Sequence, residues 1–478
     1  MRIYHFLYAL PLGMALTGAP SELRTQPPMP ARPLRLAEAL AEADDRAFAN
    51  RRATAAAEAE RARAALPLKG ILPGARLESG FVRTTDPIGA FGTTLRQRLV
   101  SPAAFDPVRL NFPAPVNNVM GGVALDMPLL TGDAWAGWRA ARSAADATDA
   151  VADWTRLTTR AQVVAGYYGT ILATEKVTTL EQADRAAQAA VRQVERMVQQ
   201  GLVTKADALL AQVRAGDVTA QLLAARHDAT SAQQQLAMLL GRTTSSSVVL
   251  PGAMPNDDAI RALAAVDTGA LPATSRSAEI GQRDDVRAAR LAAQAARADL
   301  QRAGTTMLPR VNGFARYDWN SPATLYAGRP NWTVGVMASW SLFGGGSEVA
   351  DVVGAAARAR SARAGAEGAE AQAQVEIDVT ARVLAVALQR LDLAATSAAQ
   401  SREAHRLVEK RYVGGLATIA ELLGAEATAT GAALAHAAAR YAVIDAVAQH
   451  RRAIGADPGA IARLDTDASS LSMSGALR

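Results

Sequence analysis

Between Trp332 and Leu342 every second residue belongs to one series: Trp332, Val334, Val336, Ala338, Trp340 and Leu342. Thr333, Gly335, Met337, Ser339 and Ser341 fall between them. A period of two predicts a strand with one apolar face and one small or polar face. The run breaks at Gly344-Gly345-Gly346, and an Ala- and Arg-rich tract of helical composition follows. The arrangement occurs once before. Val119, Val123, Leu125, Met127 and Leu129 share one face, and Met120, Gly122, Ala124 and Asp126 the other. Gly132 and a second long Ala/Arg/Gln tract come next. With Leu129-Leu130-Thr131-Gly132 laid on Leu342-Phe343-Gly344-Gly345, Gly122 falls on Gly335 and Leu125 on Ala338.

The rest of the chain fills in this doubled pattern. Alternation predicts two more strands, at about 72–84 and 308–320, beside those at 119–130 and 331–343. In the first, Ala75, Leu77, Ser79 and Phe81 oppose Arg76, Glu78 and Gly80. In the other, Val311, Gly313, Ala315, Tyr317 and Trp319 oppose Arg310, Asn312, Arg316 and Asp318, with Phe314 out of pattern. Helices are predicted at 34–66, 133–200, 205–240, 284–303, 347–412 and 419–453, with a short one at 257–266. The break GLVTKADALLA, Gly201–Ala211, lies without a gap on GLATIAELLGA, Gly415–Ala425, and the stops Leu240-Gly241 and Ile454-Gly455 keep that offset. The chain is therefore read as two repeats, 34–241 and 284–455, joined by a connector at 242–283. Residues 85–118 hold five prolines and are expected to be an irregular loop. Residues 1–19 read as a secretory signal peptide, with a membrane anchor as the alternative, and 20–33 as an extended arm. The Ser/Asp/Gly-rich tail, 456–478, is expected to be disordered.

Composition narrows the function. Half of the 478 residues are apolar, but alanine dominates and aromatics make up 5%, which favours elongated helical packing over thick cores. The net charge of +6 comes from arginines interleaved with acids, the pattern of solvated helix faces rather than of a nucleic-acid footprint. The absence of cysteine excludes disulfides, thiolate metal sites, a cysteine nucleophile and lipid attachment through an N-terminal cysteine. No two of the five histidines stand three or four apart, so a helical metal site is not expected. Gly344-Gly345-Gly346-Ser347 follows a strand but lacks the spacing of a phosphate loop; it reads as a strand-to-helix turn with Ser347 as N-cap. The pairs Asp257-Asp258 and Asp284-Asp285 sit at helix starts without partners for acid–base chemistry. No enzyme activity, cofactor or metal is expected.

Two architectures fit strands with one apolar face: a soluble sandwich, or a membrane barrel with lipid outside and water inside. The strand length matches a tilted membrane strand, and Trp319, Trp332 and Trp340 near strand ends suit interfacial belts. Four strands cannot close a barrel, and an open edge in lipid leaves backbone groups unpaired. A membrane form must therefore oligomerise; a dimer supplies eight strands and a trimer twelve. The charged helices cannot span a membrane, so they would continue the barrel as a tube in water.

The duplication, the strand ending in Leu342-Phe343-Gly344-Gly345-Gly346, the break Tyr412-Val413-Gly414-Gly415-Leu416-Ala417-Thr418 and the following Glu421-Leu422-Leu423 together resemble the TolC-like outer-membrane efflux family over roughly 34–455. The resemblance implies a mainly α fold with membrane β: a homotrimer whose twelve-stranded outer-membrane barrel continues as a long α-helical periplasmic barrel. It implies a periplasmic adaptor and an inner-membrane pump as partners. Carried onto this chain, it places Gly201, Leu202, Thr204, Gly415, Leu416 and Thr418 at an adaptor-docking tip. It places Asp207 and Glu421 at a pore constriction, where a purely local role in helix-end charge compensation is the alternative. Gly424 stands where some relatives have a second acid and Ala417 where some have arginine, which implies a gate with fewer charges. Gly132, Gly344, Gly345 and Gly346 mark the strand–helix joints. The function implied is a passive exit duct for small molecules. The alternatives are the duct of a type I protein secretion system and, in another class, a soluble periplasmic coiled-coil scaffold.

Overall fold

The computed structural model describes residues 33–242, 250, 254–268, 281, 283–324 and 327–464. The expected signal peptide, nearly all of the N-terminal arm and much of the connector lie outside these. Two helices set the scale. Helix α5, Gly132–Gln199, has 68 residues and α9, Ser347–Val413, has 67. At 1.5 Å per residue each is about 100 Å long. Each turns back into a helix of 35 residues: α6, Lys205–Leu239, and α10, Ile419–Ala453. Alanine-rich sequence sustains such lengths because it loses no side-chain entropy on becoming helical. No helix among the described residues is long and apolar enough to cross a membrane.

The helix ends repeat between the halves. Gly241 and Gly455 adopt φ of +73° and +74° beyond α6 and α10. The amides that follow return to the last turn, Arg242 N to Ala237 O at 2.9 Å and Ala456 N to Arg451 O at 2.8 Å. Glycine takes this left-handed position without the steric cost a Cβ imposes, which ends the helix cleanly.

Shorter helices pack on this frame: α1, Leu36–Arg46; α2, Phe48–Arg63; α7, Asp257–Thr268; and α8, Asp284–Thr305. The single helix expected at 34–66 is divided at Ala47, whose ψ of 131° leaves the helical region. Asn50 stabilises the break. Its amide donates to Ala43 O at 3.1 Å, and its carbonyl accepts from the buried Thr159 hydroxyl at 2.9 Å. The largest core lies at this level. Leu36 and Leu40 of α1 meet Tyr167 and Tyr168 of α5, Leu384 of α9 and Ile444 of α10. Residues 457–464, in the stretch expected to be disordered, also join it: Pro458–Ala462 forms a 3-10 turn, and Ile461 and Leu464 are buried in the core.

Arg283, 1% exposed, pins the start of α8. Its guanidinium pairs with Asp285 at 2.8 Å and Glu376 at 2.7 Å, donates to Ala453 O and stacks 4.7 Å over Trp154. A buried charge persists only with such full satisfaction.

The four strands form one antiparallel sheet in chain order: β1, Gly74–Thr84; β2, Val116–Leu130; β3, Arg310–Ser321; β4, Arg329–Ser339. β1 and β4 are free edges. The strand expected to run to residue 343 ends at Ser339; beyond it, the Trp340 indole donates to Met307 O at 3.0 Å. Residues 85–118, expected to be irregular, instead hold helices α3, Pro87–Arg96, and α4, Pro107–Asn111, with a 3-10 turn at Pro102–Phe105. Pro87, Pro102 and Pro107 occupy helix starts, where a missing N–H costs nothing, and the Asp86 and Asp106 carboxylates cap the two α-helices.

Candidate functional site

The strand register sorts the sheet into rows. Leu77 pairs with Val123, Val123 with Tyr317 and Tyr317 with Trp332. The row beside it is Ala75, Leu125, Ala315 and Val334. Among the described residues no element covers this face: Leu77 is 77% exposed and Trp332 74%. The opposite face is charged and amide-rich. Arg76 reaches Asp126 at 2.6 Å, and Arg316 reaches Glu78 at 3.0 Å and Asp318 at 3.7 Å. The Glu78–Arg316 pair crosses β2 where Gly122, the partner of both Glu78 and Asp318, leaves the space free. A Cβ at Gly122 would lie 2.6 Å from the Asp318 carboxylate. One sheet thus presents an unbroken apolar surface and an ion-paired one, the division a barrel wall between lipid and water requires.

Phe314, the residue out of pattern, falls on the polar face and lies over Gly335; a Cβ there would sit 2.7 Å from its ring. On the apolar face the Trp319 ring covers Gly121 in the same way, at 2.5 Å. Each aromatic takes the space its glycine leaves, so both faces stay filled without crowding.

The two helix–helix turns come together at the far end of the hairpins. Val194, Ala208 and Ala211 of the first pack with Ile419 and Leu423 of the second. Tyr412 completes this small core, its hydroxyl 3.7 Å from Met197 Sδ. Burial, and secondarily the charge of Asp207, hold the Tyr412 hydroxyl pKa above its ordinary value. Gly201 and Gly415 have φ of +70° and +72°. Leu202 N returns to Met197 O at 2.9 Å and Leu416 N to Arg411 O at 2.8 Å. Thr204 and Thr418 cap α6 and α10 with identical torsions, φ −82° and ψ 160°. Leu202 and Leu416 are left exposed on the outside of their turns, Leu416 by 73%.

Asp207 and Glu421 are the third residues of their helices, and each closes a capping box with its threonine. Hydrogen bonds from the Thr204 hydroxyl and amide lower the Asp207 pKa. Further along α10, Glu426 is half-buried. Burial raises its pKa, opposed by His405 and Arg214 and assisted by Glu409.

The joints differ. Gly345 and Gly346 have φ of +72° and +85°, and Gly346, not Ser347, is the N-cap of α9. The Ser347 hydroxyl instead donates to Gly344 O at 2.8 Å. Gly132 is the first residue of α5 with ordinary torsions, and Thr131 anchors it through a bond to Gly70 O at 2.8 Å. Among the described residues no group of acidic or histidine side chains is arranged to hold a metal ion. The buried Gln97, Asn118 and Asn320, whose side chains hydrogen-bond from the loop into the sheet, carry no local signal in the sequence.

A sequence profile of outer membrane efflux proteins matches residues 89–242 and 276–456. The two matches fall on the two repeats and together cover more than half of the chain, which therefore belongs to the outer membrane efflux protein family. A comparison with curated protein sequences gives no match. Solved structures show the same fold. The CmeC outer membrane channel of Campylobacter jejuni superposes with a TM-score of 0.73 at 17% identity, covering 88% of this chain and 85% of that one. The open state of the MtrE outer membrane channel of Neisseria gonorrhoeae gives 0.72 at 20% identity, covering 88% and 89%. The outer membrane protein VceC of Vibrio cholerae gives 0.71 at 19% identity, covering 88% and 96%. The chain is an outer membrane efflux protein, and a soluble coiled-coil scaffold is not favoured.

Proposed function

We propose that three copies form the passive exit duct of a tripartite efflux system. Twelve strands close the barrel in the outer membrane, and the α5/α6 and α9/α10 hairpins of the three copies form the tube beneath it. A periplasmic adaptor meets the turns bearing Leu202 and Leu416, and an inner-membrane pump supplies the energy. Asp207 and Glu421, three of each, ring the narrow end of the tube with negative charge while capping their own helices.

One observation carries this reading: among the described residues, a four-stranded sheet has two free edges, an uncovered apolar face and an ion-paired opposite face. In lipid such edges leave backbone groups unpaired unless another copy pairs with them. The CmeC and MtrE channels, which share the fold, support it. The exported compounds are small molecules. Deleting the gene is expected to raise cellular accumulation of small toxic dyes, and the full-length chain to restore export. Unheated membrane extract is expected to run as a trimer that collapses to monomer on heating. A wholly soluble monomer would overturn the reading.

A further inference from the structure

Residues 85–115 join β1 to β2, and the polar face of the sheet holds them from three strands. Gln97, 2% exposed, donates to Asn117 O at 2.8 Å and to Asn118 Oδ1 at 3.0 Å. The Asn118 amide then donates to Asn320 Oδ1 at 2.8 Å. The register puts both asparagines on the charged face: Asn118 pairs with Val82, in the series of Arg76 and Glu78, and Asn320 with Met120. Next to Gln97, Arg98 has φ +57°, the one non-glycine residue in the left-handed region among those described. That backbone costs energy, and it directs the guanidinium to Pro330 O at 3.0 Å. Asn331, which pairs with Asp318, donates to Arg96 O at 3.3 Å. The segment is thus fastened to β2 and β4, and through Asn118 to β3, at the end of the sheet away from the long helices.

The surface it presents does not suit that side. Ile88, Leu99, Phe105, Val108 and Phe112 are all exposed, Phe112 by 82%. Phe105 is held to α3 by an edge-on contact with Phe91 at 5.8 Å. Large apolar side chains left exposed on a segment tied to the polar face of the sheet call for a partner. In a closed barrel the polar side of the wall meets no lipid; it meets water and the same side of the other copies.

We infer that the three copies of segment 85–115 pack against one another inside the outer mouth and form an apolar constriction, each copy being the partner of the other two. This rests on the trimeric duct proposed above. Apolar constrictions gate by excluding water, without a charged latch. The amide chain Gln97–Asn118–Asn320 holds each segment over the opening, so the mouth opens when that chain yields.

The cysteine-free sequence permits a direct test. Phe105→Cys and Phe112→Cys, each alone in the full-length chain in native membranes, are expected to give disulfide-linked dimers on mild oxidation. Trp332→Cys, on the lipid face, is expected to stay unlinked. A heat-sensitive trimer with no link at either loop position would overturn the inference while leaving the duct intact. Absence of any trimer would overturn the duct itself. Gln97→Leu should shift planar-bilayer conductance severalfold upward with trimer content unchanged. Conductance equal to that of the parent protein would contradict the tether.

Discussion

Asp207 is folded back onto Thr204. The Thr204 amide and hydroxyl donate to Asp207 Oδ2 at 2.9 and 2.7 Å, and the Asp207 amide donates to Thr204 Oγ1 at 3.2 Å. Thr418 and Glu421 repeat the amide bonds at 2.8 and 3.2 Å. The carboxylates proposed to ring the pore are therefore also the groups that fix the turns carrying Leu202 and Leu416.

These two roles separate experimentally. Thr204→Ala or Thr418→Ala should each cost about 1 kcal/mol of helix-end stability, measured by denaturant unfolding of the extracted trimer. Asp207→Asn with Glu421→Gln keeps an acceptor for the cap but removes the charge. In planar bilayers the pair should lower cation-over-anion selectivity. An unchanged reversal potential would leave these residues as caps alone.

Leu416→Glu should abolish export while stability stays within about 0.5 kcal/mol of the parent, because the residue projects into solvent. The check is dye efflux in cells beside the heat-dependent gel shift of the same protein. Export at the parental rate would remove the docking role of this turn. Leu416 is a cleaner probe than Gly415, whose left-handed φ makes any replacement strained.

Gly335→Val should weaken barrel assembly by about 1–3 kcal/mol, since its side chain enters the space of the Phe314 ring. Phe314→Ala in the same chain should restore much of the loss. Trimer melting in detergent reads both, and failure of the rescue would show that the close approach is not what limits Gly335.

Much of this was legible in the sequence, and the exceptions share a cause. Period-two runs and the matched breaks at Gly201 and Gly415 gave the four strands and the two hairpins because those signals are local. The residue pairs that sequence reasoning missed are not local. Arg316 meets Glu78 across an intervening strand, Asn118 meets Asn320 across the two repeats, and Arg283 gathers Trp154, Glu376 and Ala453 from three helices. Proline content made 85–118 look irregular, although the prolines at 87, 102 and 107 each begin a helical turn. Phe314 looked like an error of pattern until its partner Gly335 stood beside it.

Glu426 gives a pH dependence with a definite sign. Burial raises its carboxyl in the folded protein above the ordinary value of 4.5. Between that value and the raised one, the folded chain keeps a proton that the unfolded chain releases, so stability falls as pH rises through the window. Glu426→Gln should therefore raise the melting temperature of the trimer at neutral pH and give no gain below about pH 4. A gain of equal size at both pH values would exclude titration as its source.

The central claim is that this sheet is one third of a closed wall. Electron microscopy of the full-length protein extracted from membranes in detergent tests it most directly. The account predicts a three-fold particle with a short barrel at one end and a helical stalk of about 100 Å. A monomeric particle, or one whose β1 and β4 edges remain unpaired, would contradict it.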